Sequence, residues 1–217
     1  MPAAKTEATI DIPRVSKSLI TLRIVGTAPL IVHRFDEKAR QIMLDAQQGR
    51  KKAKEVRDPD ADFERARHKL ADGSGDGFPA NGIKAAITGG ARYFNDKRLS
   101  MTLLRQALFV TGEGPEMLVP IEGATPGSRA VATMHEAMVR VGMGTADVRF
   151  RPIYDPWGMT LKVTYVPSLM SLDTVIALVD AGGMGGLGEM RPSKAASGIY
   201  GTFSVDDTFD PKVVSLG

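Results

Sequence analysis

The chain has 217 residues, of which 43% are hydrophobic and 24% charged, a composition typical of one globular domain rather than of a disordered chain. It contains no cysteine, which excludes disulfide scaffolds, thiolate metal sites and cysteine nucleophiles. The formal net charge is only +3, so any site for a polyanion must come from local clustering of basic residues.

The first segment, residues 1–17, is polar and interrupted by proline, and we expect it to form a loosely held arm. It lacks an apolar signal core, and no run approaches the roughly 18 apolar residues of a membrane-spanning helix. We therefore expect a cytoplasmic protein that does not bind a membrane. The histidines His33, His68 and His135 are far apart and fit no metal-binding spacing, so we expect neither a metal site nor a cofactor.

The domain itself is expected to span residues 18–205, followed by a tail at 206–217. It begins with the alternating strand Leu19–Gly26, which resumes as IVHRF after a break at Pro29. Residues 36–76 are rich in alanine and charge and predict two short helices and a flexible loop, inserted into the domain. This insertion holds a basic cluster of Arg50, Lys51, Lys52 and Lys54. Such a cluster suits phosphate, but a solvated helical surface explains the same composition.

Two further elements follow the insertion. Gly77–Phe94 predicts a short extended stretch and then a helix that Asn81 caps and a Gly-Gly pair ends. Gln106–Gly123 consists of two apolar runs joined by glycine and proline, which predicts a hairpin. Residues 124–144 carry no clear pattern and are interpreted as a loop.

The carboxyl-terminal part predicts a second hairpin, a helix and a last strand. The hairpin consists of DVRFRPIY and GMTLKVTYV around the turn Asp155–Gly158. The helix begins at a Ser171 cap, and the strand covers Gly198–Val205. The resulting order of strand, helix, strands, helix and strand predicts an α+β domain of the ferredoxin-like or RRM-like type, with an inserted helical thumb region.

A glycine-rich segment, Met184–Gly201, lies between that helix and the last strand. Glycine allows a positive φ and a close approach of backbone to ligand, and basic side chains among exposed amides suit phosphate oxygens. The candidate binding residues in this loop are Gly186, Gly188, Arg191, Lys194, Gly198 and Tyr200. No GxxxxGK[ST] pattern is present, which disfavours nucleotide hydrolysis. A flexible surface connection is the alternative.

Two motifs of this sequence resemble the RAMP superfamily of CRISPR systems. GLGEMRPSKAASGIYG (Gly186–Gly201) is similar to the glycine-rich loop of that family, and FPANGIKAAI (Phe78–Ile87) resembles the signature that opens the first helix of its backbone subunits. The sequence also looks similar to small phage-encoded proteins. The resemblance implies a ferredoxin-like or RRM-like fold and a groove that holds a single strand by its backbone, with Lys84 among the phosphate contacts.

The resemblance also implies a homo-oligomer or filament, in which subunits line up head to tail on the strand and an inserted thumb touches the neighbour. Either residues 36–76 or residues 124–144 supply that thumb. Additional basic groups for the strand are Arg140, Arg149 and Arg151. Phe150 lies between two of them and either stacks on bases or belongs to the core, with the arginines facing water.

The leading hypothesis is a non-enzymatic protein that binds single-stranded RNA or DNA and oligomerises along it. One alternative is a metal-independent endoribonuclease with His33 as general base, assisted by Lys84, Arg34 or Tyr200. Asp36 is a second catalytic candidate, since some family members carry a cleaving aspartate in this region, although both residues also have ordinary structural explanations. The other alternative is an adaptor or inhibitor that imitates a RAMP subunit.

Overall fold

The computed structural model describes residues 12–35, 37–50, 56–141, 145–194 and 198–216. These residues form the strands β1 (Ser18–Gly26), β2 (Leu30–Ile31), β3 (Gly77–Pro79), β4 (Leu108–Thr111), β5 (Leu118–Pro120), β6 (Thr133–Val141), β7 (Thr145–Tyr154), β8 (Gly158–Tyr165), β9 (Phe203–Val205) and β10 (Lys212–Ser215). The helices are α1 (Glu37–Gln47), α2 (Pro59–Arg65), α3 (Ala80–Gly90), α4 (Met101–Ala107) and α5 (Leu172–Gly185), and a 3-10 helix, Ala91–Tyr93, continues α3.

The main sheet is antiparallel and has the strand order β10-β1-β8-β4. Strand β9 pairs with the same edge of β1 as β10 does, but with the last residues of β1 instead of the first. Its central strand alternates as the sequence predicts: Ile20, Leu22 and Ile24 are fully buried on one face. Leu22 lies opposite Leu161 of β8, which is equally buried. This row of apolar side chains forms the floor of the core, against which a helix layer packs.

Helices α3 and α5 cover that face of the sheet and touch each other through glycine. A Cβ added at Gly90 would lie 2.8 Å from the backbone nitrogen of Gly182 and 2.8 Å from the carbonyl oxygen of Leu178. Side chains larger than hydrogen would therefore separate the two helices at this point. Ile83 and Val175 are fully buried between the helices and the sheet.

A smaller sheet has the strand order β2-β7-β6, and a buried polar contact joins its strand β7 to the segment before β3. The Tyr154 hydroxyl donates to Asp76 at 2.9 Å, and Arg67 donates to the same carboxylate at 3.0 Å. Burial is the chief cause that raises the pKa of Tyr154 above its ordinary value, and the Asp76 carboxylate adds to this. Tyr154 therefore remains neutral and acts as a structural donor.

A second buried polar contact holds the outer face of β1. Arg23, only 2% exposed, pairs with Glu122 at 3.2 Å and with Asp206 at 2.7 Å, and it also donates to the carbonyls of Gly123 and Ala124. Two carboxylates and two carbonyls satisfy the guanidinium, so its burial leaves few donors without an acceptor. This contact fixes the segment after β5 and the segment after β9 to the central strand.

Several sequence predictions are confirmed. The first strand forms, and two short helices, α1 and α2, lie within residues 36–76. Helix α5 begins where predicted, because the Ser171 hydroxyl accepts from the backbone N–H of Thr174 at 3.2 Å. The general description, helices packed on antiparallel sheets, is also confirmed.

The predicted cap of α3 was wrong. The helix begins at Ala80, directly after Pro79, and not at Asn81. Pro79 fixes an extended backbone before the helix, and the Ala80 N–H donates to the carbonyl of Met117 at 2.9 Å. Met117 thus satisfies one of the amides that a helix leaves without an intrahelical partner at its start, and no side-chain cap is present.

The two predicted hairpins were also wrong. β7 pairs with β6 and β2, whereas β8 pairs with β1 and β4, so the turn at Asp155–Gly158 carries the chain from one sheet to the other. Likewise β4 belongs to the main sheet and β5 pairs with β3, with only the bridge between Glu113 and Leu118 joining their ends.

Residues 124–144, interpreted as a loop, contain β6, and residues 206–217, interpreted as a tail, contain β10. The predicted last strand, Gly198–Val205, shortens to β9.

Candidate functional site

The two sequence motifs, about a hundred residues apart, line one cleft. Helix α3 contributes one wall, and the end of α5 with the loop after it contributes the other; the cleft encloses about 360 Å³. The side chains that give it chemical character are His33, His68, Arg92, Tyr93, Glu189 and Arg191. Cationic, aromatic and titratable groups therefore converge on a space bordered by glycine backbone.

The glycine loop is held in place by its own backbone. The N–H of Glu189 donates to the carbonyl of Ile31 at 2.8 Å, and the N–H of Gly201 donates to the carbonyl of Pro29 at 2.8 Å. Gly188 has a φ of 71°, and a Cβ there would overlap the Ile31 carbonyl oxygen. This glycine is thus required for the loop to lie on β2.

Two other glycines of the motif serve the same purpose. Gly186 has a φ of 70° and ends α5, and a Cβ added to it would lie 3.0 Å from the carbonyl oxygen of Tyr200. A Cβ at Gly198 would overlap the carbonyls of Met190 and Arg191. These glycines therefore allow segments of the loop to approach one another closely.

Both basic side chains of the loop have partners inside the loop. Arg191 donates to the carbonyl of Gly188 at 2.5 Å and to the Ser193 hydroxyl at 3.1 Å. Lys194 pairs with the Glu189 carboxylate at 3.0 Å. Burial would raise the pKa of Glu189, but the hydrogen bond and charge of Lys194 outweigh it and lower that pKa. The loop thus neutralises the charge of Lys194, whereas Arg191 keeps its charge and is held by uncharged groups.

Tyr200 lies against the β6–β7 hairpin instead of in the cleft. Its ring centroid is 6.0 Å from that of His135, and His135 lies opposite Arg151 across the two strands. Arg151 is 7% exposed, contrary to the water-facing position that strand alternation predicts, and burial lowers its pKa. Arg149, on the same strand, pairs with Asp147 at 2.8 Å.

The remaining predicted residues are dispersed. Lys84 lies on α3 but does not line the cleft; its ammonium is 4.2 Å from the centre of the Phe109 ring and borders a neighbouring hollow. Arg140 lies opposite Ala146 in the β6–β7 pair, and its side chain is outside the described residues. Asp36 and the basic residues Lys51, Lys52 and Lys54 also lie outside them.

No pattern in the sequence identified His68, which borders the cleft and contacts a carboxylate. Nδ1 of His68 lies 3.1 Å from Glu116, whose other carboxylate oxygen accepts from Arg34 at 2.5 Å. Burial is the chief cause that lowers the pKa of His68, against the opposing effect of Glu116. His33 is exposed and lines the same cleft. His68 and Glu116 are 48 residues apart, so no spacing in the sequence connects them.

Within the described ranges, no group of three or more histidine, aspartate or glutamate side chains is arranged to hold a metal ion. No helix in this part of the chain is long and apolar enough to cross a membrane.

No protein-family model and no curated protein matches the sequence. Two solved structures are similar in fold. One is a chain of the Type III-B Cmr-beta bound to cognate target RNA, with a TM-score of 0.48 and 8% identity, covering 92% of this chain and 61% of that chain. The other is Cmr6 from Pyrococcus furiosus, with a TM-score of 0.44 and 11% identity, covering 89% of this chain and 100% of that one.

Proposed function

We propose that this protein binds single-stranded nucleic acid along the cleft between α3, α5 and the glycine loop. The observation that carries the proposal is the meeting of the two motifs: Phe78 and Gly82 of one and Gly188 and Arg191 of the other border the same space. A cleft with basic groups and the half-exposed ring of Tyr93 suits a strand, whose phosphates take the cations and whose bases stack on aromatic faces.

The fold that supports this site is a ferredoxin-like one. In chain order, β1, α3, β4, β8, α5 and β9 read as strand, helix, strand, strand, helix, strand, and the strands stand in the spatial order β9-β1-β8-β4. This order supports the proposal of a split βαβ domain with both helices on one face. The domain begins at residue 18 and includes β10, which pairs with β1, and residues 36–76 are inserted after β2.

The protein assembles head to tail along its strand through a segment that projects from this domain. Residues 36–76 and the β6–β7 hairpin are the two candidates for that contact. Met138 of β6 is 79% exposed and Met43 of α1 is 57% exposed, so each candidate presents an apolar side chain that a neighbouring subunit can cover. Such a contact joins different surfaces of successive copies and leads to open filaments.

The test is salt-titrated fluorescence anisotropy with labelled 30-mers of single-stranded RNA, single-stranded DNA and duplex DNA. We expect binding to single strands that weakens steeply with salt, and regular steps of saturation on longer probes. The variant R191A/K194A should bind more weakly, with a salt slope lower by about 0.7 for each lost phosphate contact. If the unaltered protein binds only one type of single strand, that result identifies RNA or DNA as the ligand.

The matched control is K17A/K212A, which removes the same charge from two exposed positions at the β10 edge of the main sheet. This control should bind as the unaltered protein does. If R191A/K194A also binds unchanged, the proposed function is wrong. Intact probes with no binding at all would favour the adaptor or inhibitor hypothesis.

A second candidate function, metal-independent cleavage of RNA, is favoured by the two histidines that border the cleft. His33 and His68, the latter held by Glu116, both border the cleft, where an imidazole can take a proton from a ribose hydroxyl. Shortened RNA after incubation in EDTA, absent with H33A and with H68A, would establish this activity. Full-length RNA after prolonged incubation would exclude it.

A further inference from the structure

We infer that the hollow between α3, the 3-10 helix and α4 is a phosphate subsite, which extends the strand path beyond the cleft. This inference rests on the proposed function and adds a site to it. The hollow encloses about 270 Å³, and its basic side chains are Lys84, Arg92 and Arg105. The remaining lining residues are Asn81, Ala85, Thr88, Gly89 and Met101, so its lining contains no carboxylate.

Each of the three cations comes from a different element. Lys84 comes from α3, Arg92 from the 3-10 helix that continues it, and Arg105 from α4. The chain turns back between the second and third of these, at residues 94–100, which places α4 against α3. Three elements that each direct a positive charge into one hollow create a site for an anion.

The charge of this hollow is not neutralised within the described part of the chain. Lys84, Arg92 and Arg105 form no ion pair with any carboxylate of the described residues. In the loop, Lys194 differs because Glu189 neutralises it, and Arg191 differs because the Gly188 carbonyl occupies part of its guanidinium. Three like charges repel one another, and an anion in the hollow removes that repulsion.

The Phe109 ring holds one of the cations in position. The ammonium of Lys84 lies 4.2 Å from the ring centroid, and no acceptor among the described residues takes its N–H donors. A ring face positions an ammonium without cancelling its charge, so Lys84 retains donors for a phosphate oxygen.

Arg92 connects the hollow to the cleft, since it borders both. A strand that leaves the cleft along α3 meets the hollow next, and Arg92 contacts it on either side. The ligand is therefore a phosphate group of the same strand. It is either an internal diester or a terminal monoester, which carries up to two negative charges.

The experiment compares R92A/R105A with the control K17A/K212A on 30-mer single strands that end in a 5′-phosphate or a 5′-hydroxyl. Lys84 is left intact. Because Arg92 and Arg105 are exposed, we expect an unchanged melting temperature, affinity roughly tenfold weaker, and a salt slope lower by about 1.4 for two lost contacts. A loss on both probes identifies an internal phosphate, and a loss on the 5′-phosphate probe alone identifies a terminal one.

The inference is overturned if R92A/R105A has the affinity and salt slope of the unaltered protein on both probes, while R191A/K194A binds more weakly and with a lower salt slope. In that case the proposed function stands without the subsite. If both variants bind unchanged, both proposals fail. The charge reversal R105E provides a second variant, and it should weaken binding more than R105A does.

Discussion

The glycine loop and the hollow on α3 are both basic, but they use their cations differently. In the loop, Arg191 and Lys194 bond to groups a few residues away and stabilise the loop conformation. In the hollow, Arg92 and Arg105 are exposed and form no ion pair with a described residue. A basic residue in a glycine-rich motif can thus serve the fold, whereas cations that form no ion pair on ordinary helices remain available to a ligand.

The largest effect is expected from the loop backbone. Gly188→Ala places a Cβ against the Ile31 carbonyl at a φ of 71°, and we expect a loss of about 2–4 kcal/mol in the free energy of unfolding. Gly89→Ala, on α3, meets no atom within 4 Å and should instead stabilise by about 0.5–1 kcal/mol. Chemical denaturation measures both, and equal stabilities for the two variants would contradict a loop held by its own backbone.

The second largest effect is expected on the affinity for a single strand when a carboxylate is introduced into the lining of the hollow. Asn81→Asp introduces a carboxylate into its lining, and we expect affinity for a single strand to fall roughly threefold, with a shallower salt slope. The same carboxylate lies in the first turn of α3, where it stabilises a helix by about 0.3–1 kcal/mol. A lower affinity together with an equal or higher free energy of unfolding would show that the effect on binding is electrostatic and not a result of unfolding. The uncharged control is N81A.

A smaller effect follows from freeing a loop cation. Glu189→Gln removes the partner of Lys194, so the loop becomes more like the hollow, and we expect affinity to rise roughly twofold and the salt slope by about 0.7. Glu37→Gln releases Arg40 on the exposed surface of α1 and is the matched control, with no expected change. Unchanged affinity of E189Q would mean that Lys194 does not reach the strand.

The smallest effect concerns pH and distinguishes the cleft, which has a titratable histidine, from the hollow, which has none in its lining. Burial lowers the pKa of His68 in the folded protein, so the unfolded chain binds its proton more tightly. Stability should therefore decrease as pH falls below the ordinary histidine value of about 6.5, and this decrease should be smaller in H68Q. Denaturation midpoints between pH 5 and 8 measure it, and identical profiles would contradict the assignment.

Local patterns in the sequence predicted local structure well. The alternation of β1 and the Ser171 cap of α5 are properties of neighbouring residues, and the structure has both. Residues of the two motifs border one cleft, and its binding of nucleic acid stays a prediction. Strand pairing was not predictable in this way, because β7 and β8 are adjacent in the chain but belong to different sheets.

The charge state of the site depends on contacts that no motif encodes. Glu189, between the loop glycines and Lys194, is the acid that neutralises that lysine, yet its side-chain direction depends on how the loop packs on β2. Arg92 and Arg105 are 13 positions apart and meet only because the chain turns back between them. Sequence alone therefore locates the cleft more readily than its available cations.

The glycine contact between α3 and α5 sets the spacing of the two cleft walls. At Gly90 and Gly182, which line the cleft, the two helices meet through backbone, so no side chain lies between them at this point. Widening the cleft there would require moving all of α5, which Gly183 holds directly against the carbonyl of Phe203. Near this contact the spacing between the two cleft walls therefore depends on the backbones of α3 and α5 and not on side-chain rotamers.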